Sequence, residues 1–268
     1  MRKNAWVICC CTAVLSAFGI FFRWLQDQAC FEAETGLAVH GSIWPYVVAL
    51  MIAVAAAVLA VMCFRVKNQP HTSFPDSLPA AFVAAPRVRT IGGVVLGALL
   101  AGGGAWLMIS SGTLSSPGLQ RVLAALTIVT GAAFIWQMLS IGDGETTSGT
   151  VVCASMPIVL LAFWLIVSYK VNIINPTVSA YAVEILALCA ALIAFYELAG
   201  FAYGRPKAIR SIFWSQFAAF LCITALPDDR TGGQQLMLAA IAGMLLFQSY
   251  LTASNIRPAV SGPVGGAQ

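Results

Sequence analysis

Two glutamates inside one long apolar segment are the residues of this sequence best placed to do chemistry. Glu184 and Glu197 both fall between residues 178 and 203, a stretch dominated by apolar side chains. A charged group at bilayer depth is energetically expensive, so an ionisable residue there marks a candidate ion or solute site. The two glutamates are thirteen residues apart, which is roughly 220° around a helix that turns about 100° per residue. This separation disfavours a paired acid site and two-carboxylate catalysis.

Glu197 is the primary candidate, because it lies about 10 Å inside the end of its segment at a helical rise of about 1.5 Å per residue. Glu184 is a secondary candidate that could lean outward to interfacial water. Three glutamines lie at a depth similar to that of Glu197 in three other apolar segments. The sequence therefore predicts an intramembrane polar cluster of Glu197, Gln137, Gln216, Gln248 and Tyr196. Such a cluster could be a set of interhelical hydrogen bonds worth about 0.6 kcal/mol each, or a substrate or proton site.

The elements that must position these residues are eight apolar runs, each long enough to cross the roughly 30 Å hydrocarbon layer of a bilayer as a helix. The chain of 268 residues is 60% hydrophobic and only 9% charged, against about 25% charged residues in a typical soluble domain. The predicted fold class is an all-α, polytopic transmembrane helix bundle that forms a single domain over residues 1–256. Its predicted spans are residues 6–22, 43–64, 91–109, 122–141, 151–169, 178–203, 209–226 and 236–254.

The distribution of Lys and Arg predicts the orientation of the bundle. With the N-terminus in the cytoplasm, ten of the fourteen Lys and Arg fall on the cytoplasmic side, as the positive-inside rule requires. Eight spans then place both termini in the cytoplasm. The connector 142–150 is an exception, because it holds Asp143 and Glu145 but no basic residue.

Two segments outside the spans are predicted to lack regular structure. The cytoplasmic loop 65–90 contains Pro70, Pro75, Pro79 and Pro86, a spacing that favours extended backbone. It is interpreted either as a flexible linker or as a docking segment for a cytoplasmic protein partner. The tail 257–268 is rich in Pro and Gly and is predicted to be disordered.

A stripe of small residues predicts how the third span packs. Gly93, Gly97, Ala101 and Ala105 recur every four residues, so they share one helix face. Lipid tails are as apolar as leucine, and helices in a bilayer associate largely through close backbone approach at such small residues. The third span is therefore expected to be central and tightly packed.

Motif searches identify no catalytic residue, no cofactor site and no metal site. The chain has no phosphate-binding loop, no H-E-x-x-H and no G-x-S-x-G motif. Its two histidines, His40 and His71, are predicted to lie on opposite sides of the membrane. Nucleic-acid binding is disfavoured, because the chain has no basic stripe and no soluble domain to carry one.

Two short segments resemble features of uncharacterised multi-pass membrane proteins from anaerobic Gram-positive bacteria. They are the segment Glu34-Thr35-Gly36-Leu37 and the helix exit at residues 199–207, with sequence AGFAYGRPK. The resemblance covers a small part of the chain, implies the plasma membrane of a bacterium as location, and implies no activity.

Two functions follow as hypotheses. The first is binding or transport of a small solute, with Glu197 as the ionisable group. The second is a non-transporting membrane subunit or sensor that docks a cytoplasmic partner through residues 65–90. An enzyme that acts on a lipid is a third and weaker hypothesis.

Overall fold

The structure is a computed structural model that describes residues 2–30, 42–68, 72–114, 116–141, 147–172, 178–228 and 230–258. Within these ranges the chain is almost entirely helical. The helices are α1 (Arg2–Cys30), α2 (Trp44–Lys67), α3 (Leu78–Ala81), α4 (Pro86–Ser110), α5 (Pro117–Ser140), α6 (Ser148–Asn172), α7 (Val178–Ala202), α8 (Ala208–Thr224) and α9 (Gly232–Ser254). A 3₁₀ turn at Ser111–Thr113 follows α4, and two short strands, β1 (Thr72–Ser73) and β2 (Arg257–Pro258), pair antiparallel.

Within the described residues, seven helices are long and apolar enough to cross a membrane: α1, α2, α4, α5, α6, α7 and α9. This confirms the prediction of a multi-pass helical membrane protein, but not the number of eight spans. The seventh predicted span differs, because α8 has only 17 residues and extends about 26 Å at a rise of about 1.5 Å per residue. It packs against α1, α2, α7 and α9, and most of its side chains are buried. A helix enclosed by other helices does not need to match the lipid thickness by itself.

Local sequence explains several helix ends. Proline occupies the first turn of α2, α4 and α5, where its missing N–H group has no intrahelical partner to lose. The Thr231 hydroxyl accepts a hydrogen bond from the Gln234 N–H and so caps α9. The turn after α7 contains Gly204 at φ 68°, a left-handed conformation that glycine adopts without steric cost.

The long helices form a bundle with two ends. The end at which α1 begins is called the N-terminal end, and the other is called the opposite end. At the N-terminal end, where α1 begins, Trp6 packs edge-on against Tyr250 of α9, and the Ser155 hydroxyl of α6 is 3.0 Å from the Tyr203 hydroxyl beyond α7. At the opposite end, Arg23 of α1 contacts Asp228 beyond α8. Helices α6 and α7 therefore run in opposite directions, and so do α4 and α5, where Gly97 lies against Gly131 and Gly104 against Ala124.

The predicted small-residue stripe lies on α4, which packs between α5 and α9. A Cβ atom added at Gly97 would lie 2.7 Å from the Gly131 carbonyl oxygen of α5, and one at Gly103 would lie 3.1 Å from the Gly233 carbonyl oxygen of α9. Ala105, in contrast, is exposed. The contact with α5 continues through Gly104 instead, whose added Cβ would lie 2.8 Å from the Ala124 carbonyl oxygen. Of the helices, α8 and α9 are buried more completely than α4.

The described residues of segment 65–90, which are 65–68 and 72–90, contain more helix than the sequence suggests. Helices α2 and α4 extend into it from both sides, and the short helix α3 lies between them. Phe82 is fully buried against the bundle, and the Asn255 amide donates hydrogen bonds to the Ala81 and Val83 carbonyl oxygens. A flexible linker is thus not what the structure has at residues 72–85. Docking of a partner through 65–90 stays a prediction. Of the predicted tail, Arg257–Pro258 forms β2, and residues 259–268 lie outside the described residues.

Candidate functional site

Four charged side chains form a buried network at the opposite end of the bundle, and we name them the charged cluster: Arg23, Glu184, Asp228 and Arg230. The Arg23 Nε atom lies 2.6 Å from the Asp228 Oδ1 atom. The Arg230 Nη2 atom lies 2.8 Å from Asp228 Oδ2 and 3.4 Å from Glu184 Oε2. None of the four side chains is more than 9% exposed. Asp228 therefore bridges the two arginines, and Glu184 joins the network through the longer contact to Arg230.

Three parts of the chain bring the charged cluster together. Arg23 lies on α1, Glu184 is on α7, and Asp228 and Arg230 are in the connector between α8 and α9. Burial of this many charges is stable only when each one is paired and its remaining donors and acceptors are satisfied. Further hydrogen bonds meet this need: Arg23 Nη1 donates to Gln26 Oε1 at 2.7 Å, and Arg230 Nη1 donates to the Ala225 carbonyl oxygen at 2.8 Å.

The charged cluster forms part of the wall of a cavity of about 260 Å³. Polar side chains from the ends of α5, α6 and α9 complete the wall, together with the indole of Trp164 and the phenol ring of Tyr181. The polar ones are Gln120, Ser168, Asn172 and Gln234. Gln120 is 3% exposed, and its Oε1 atom has no hydrogen-bond partner among the residues that the structure describes. A buried acceptor without a partner carries a desolvation penalty that a bound donor would remove.

The charges of the cavity wall favour a positively charged occupant. Among the described residues, the wall contains the two arginines and three carboxylates, those of Asp27, Glu184 and Asp228, so the formal charge of these five side chains is −1. Both arginines already donate to Asp228 and to a second oxygen. The aromatic faces of Trp164 and Tyr181 add surface that attracts cations. The arrangement can therefore hold a small molecule that carries a positive charge and donates hydrogen bonds.

Comparison with protein-family models, with curated proteins and with solved structures finds no match. The geometry of the cavity and the distribution of charge are thus the only basis for assigning a function.

The structure places the residues of the predicted polar cluster in separate surroundings. Glu197 is 5% exposed and pairs with Arg210, with 2.7 Å between Glu197 Oε1 and Arg210 Nη2. Tyr196, its neighbour in sequence, is 65% exposed on the outside of the bundle. Among the described residues, no hydrogen bond joins Glu197 to any of the three glutamines. The structure therefore does not bring Glu197 and the glutamines together, although they lie at a similar depth. Depth alone does not determine the direction in which a helical side chain points.

The three glutamines are all buried between helices. Gln216 on α8 accepts a hydrogen bond from the Thr12 hydroxyl at 2.6 Å and donates to the Ser249 hydroxyl at 2.9 Å, so it links α1, α8 and α9. Gln248 lies on α9, and its Oε1 atom has no hydrogen-bond partner in the described part of the chain. Gln137 lies on α5. The contacts of Gln216 therefore agree with the first interpretation of the predicted cluster, that of hydrogen bonds between helices.

Sequence reasoning missed Arg23, Asp228 and Arg230, because it assigned all three to connectors. Two signals pointed to them. Between Phe22 and Cys30 the sequence contains no proline or glycine that would end α1, so Arg23 lies within a helix. Asp228 and Arg230 are two positions apart and follow Pro227 closely. A turn at this position connects two apolar helices and therefore places both residues at the end of the bundle.

Among the described residues, no group of three or more His, Cys, Asp or Glu side chains is placed to hold a metal ion. His40 and His71 lie outside the described residues.

Proposed function

We propose that this protein is a plasma-membrane protein of a bacterium that crosses the bilayer eight times, with both termini in the cytoplasm. Charge supports this orientation. Ten of the fourteen Lys and Arg lie at the N-terminal end of the bundle, and basic residues are retained on the cytoplasmic side. The opposite end, with the charged cluster and its cavity, then faces outward.

The crossing by α8 is supported by what lies at its two ends. The exposed side chains of Lys207 and Arg210 stand at its start, where cationic groups meet lipid headgroups. Asp228 lies just beyond its end, in the charged cluster. Seventeen helical residues together with the turn to Asp228 can therefore connect the two membrane surfaces.

We further propose that the outward-facing cavity binds a small organic cation, such as a molecule with a primary ammonium group. The observation that carries this proposal is the cavity wall itself, which combines an excess negative charge, the buried carboxylate of Glu184 and the unpartnered Gln120 oxygen. Both acceptors line the same cavity, so both are available to the N–H groups of a bound ammonium ion. Transport of the bound cation across the membrane, with Glu197 as its ionisable group, stays a prediction.

Calorimetric titration of the purified protein with ethylammonium, butylammonium and hexylammonium tests the proposal. The alcohols of the same chain lengths serve as neutral probes of similar shape. Glu184→Gln is expected to weaken ammonium binding about tenfold or more, since a hydrogen bond to a charged group is worth about 1.5–3 kcal/mol. Glu197→Gln removes a carboxylate at the other end of the bundle and is expected to leave binding unchanged.

Two results would contradict the proposal: alcohols that bind as tightly as ammonium ions, or Glu184→Gln protein that keeps the affinity of the wild type. Because Glu184 is the most weakly paired member of the charged cluster, we expect Glu184→Gln to fold. Its melting temperature is measured beside that of Glu197→Gln.

A further inference from the structure

A second concave surface lies at the N-terminal end of the bundle, between α6 and α7, and we name it the basic groove. It has a volume of about 580 Å³. Its floor is mostly apolar and includes Ile158, Ala199 and Gly200. Tyr196 and Tyr203 border it and are 65% and 60% exposed. Tyrosine rings in this position are typical of the zone where acyl chains meet headgroups.

The rim of the basic groove carries two basic side chains. Arg205 and Lys207 line the groove and are exposed. Within the described part of the chain, neither forms a salt bridge. The carboxylate of Glu197 also lies in the wall, but its charge is balanced by Arg210 at 2.7 Å. The groove therefore presents two positive charges beside an apolar floor.

We propose that the basic groove is a binding site for an anionic phospholipid. One acyl chain lies along the floor between α6 and α7, and the lipid phosphate lies between the Arg205 guanidinium and the Lys207 ammonium group. The hydroxyl groups of Ser155 and Tyr203, which are 3.0 Å apart, stand at the edge of the groove and can donate to headgroup oxygens.

The combination of an apolar floor and a basic rim favours a lipid over a soluble anion as the occupant of the basic groove. Basic side chains between helices on the cytoplasmic side are a recognised way to bind anionic headgroups. A free phosphate ion would use Arg205 and Lys207 but would leave the apolar floor without a partner. A zwitterionic lipid would fill the floor but would carry no net negative charge to match the rim.

Native mass spectrometry of the detergent-solubilised protein tests this proposal. The protein is incubated with equal amounts of phosphatidylglycerol and phosphatidylcholine of identical acyl chains, and the retained lipid is counted. Wild-type protein is expected to retain one phosphatidylglycerol with a preference of about thirtyfold, from two basic side chains at a membrane surface. The Arg205→Ala/Lys207→Ala variant is expected to lose this preference.

Two matched variants separate the groove from general attraction to positive charge. Arg65→Ala/Arg87→Ala removes two exposed basic residues at the same end but outside the groove, and it is expected to keep the wild-type preference. Ile158→Trp fills the floor without changing the charge, and it is expected to reduce retention of phosphatidylglycerol. The side chains of Arg205, Lys207, Arg65 and Arg87 are exposed, so their removal leaves the packed core intact.

Four results would overturn the proposal. They are equal retention of the two lipids by wild-type protein, an equal loss in the two double variants, unchanged retention in Ile158→Trp, and displacement of the lipid by millimolar inorganic phosphate.

Discussion

Asp228 is the residue on which the charged cluster depends, because each of its carboxylate oxygens accepts from a different arginine. Without that negative charge, Arg23 would lose its ion pair with Asp228, and Arg230 would keep only the 3.4 Å contact with Glu184 among the ion pairs of the described residues. Removal of one partner from a buried ion pair destabilises proteins by about 3–5 kcal/mol. We therefore expect Asp228→Asn to lower the free energy of unfolding by about 3 kcal/mol, measured by denaturant titration in detergent micelles.

The matched control is Asp76→Asn, the same chemical change at an exposed aspartate near the N-terminal end of the bundle. It is expected to change the free energy of unfolding by less than about 0.5 kcal/mol. If Asp228→Asn and Asp76→Asn unfold at the same denaturant concentration, the charged cluster does not contribute to stability in the way described.

The two intramembrane glutamates show what a sequence can and cannot predict at the scale of single residues. Their placement in one apolar segment identifies both as candidates. Which of them faces a cavity depends on neighbouring helices, and the cavity beside Glu184 exists only because α1, α5, α6 and the turn after α8 end around it. Glu197 meets Arg210, a partner thirteen residues further along the chain that only the turn between α7 and α8 brings close.

At the scale of elements, the contact between α4 and α5 depends on glycine. A Cβ atom at Gly97 would lie 2.5 Å from Ile135 Cγ1 and 2.7 Å from the Gly131 carbonyl oxygen, so the two helices would have to separate. We expect Gly97→Ala to lower the free energy of unfolding by about 1–3 kcal/mol, the usual cost of overpacking. Thermal unfolding in detergent measures the change.

Gly102, on the same helix, provides the control for this prediction. An added Cβ there would meet no atom within 4 Å, and alanine is a better helix former than glycine by up to about 1 kcal/mol. Gly102→Ala is therefore expected to be neutral or slightly stabilising. A Gly97→Ala protein as stable as Gly102→Ala would show that α4 and α5 do not approach as closely as described.

The approximate positions of the eight long helices could be predicted from the sequence, because each apolar run is bounded by polar or helix-breaking residues, but the short helix α3 was not predicted. Helix length was harder to predict. The apolar run of α1 ends near Phe22, but the helix continues to Cys30, since polar residues that point into a protein interior need not end a membrane helix. The end of α8 was also hard to predict. Its predicted span is 209–226, but the helix ends at Thr224, and the residues after it form the turn that positions Asp228.

At the scale of the whole molecule, the two ends have different chemistry. The N-terminal end carries exposed basic side chains and the basic groove, while the opposite end carries the buried charged cluster and a cavity with excess negative charge. Between them lies a core of apolar side chains that extends through the long helices. The positions of the basic residues in the sequence are enough to predict the orientation. The cavity could not be predicted, because its wall combines residues from several separate helices.

The central claim is that the cavity opens on the outer face of the membrane and the basic groove on the cytoplasmic face. Labelling of single introduced cysteines with a membrane-impermeant maleimide tests it most directly, in bacterial cells that express the protein, with the wild-type chain as background. Asn172→Cys, in the cavity wall, is expected to react in intact cells, and Lys207→Cys, on the rim of the groove, only after the membrane is permeabilised. The reverse pattern, or Asn172→Cys that reacts only after permeabilisation, would contradict the account.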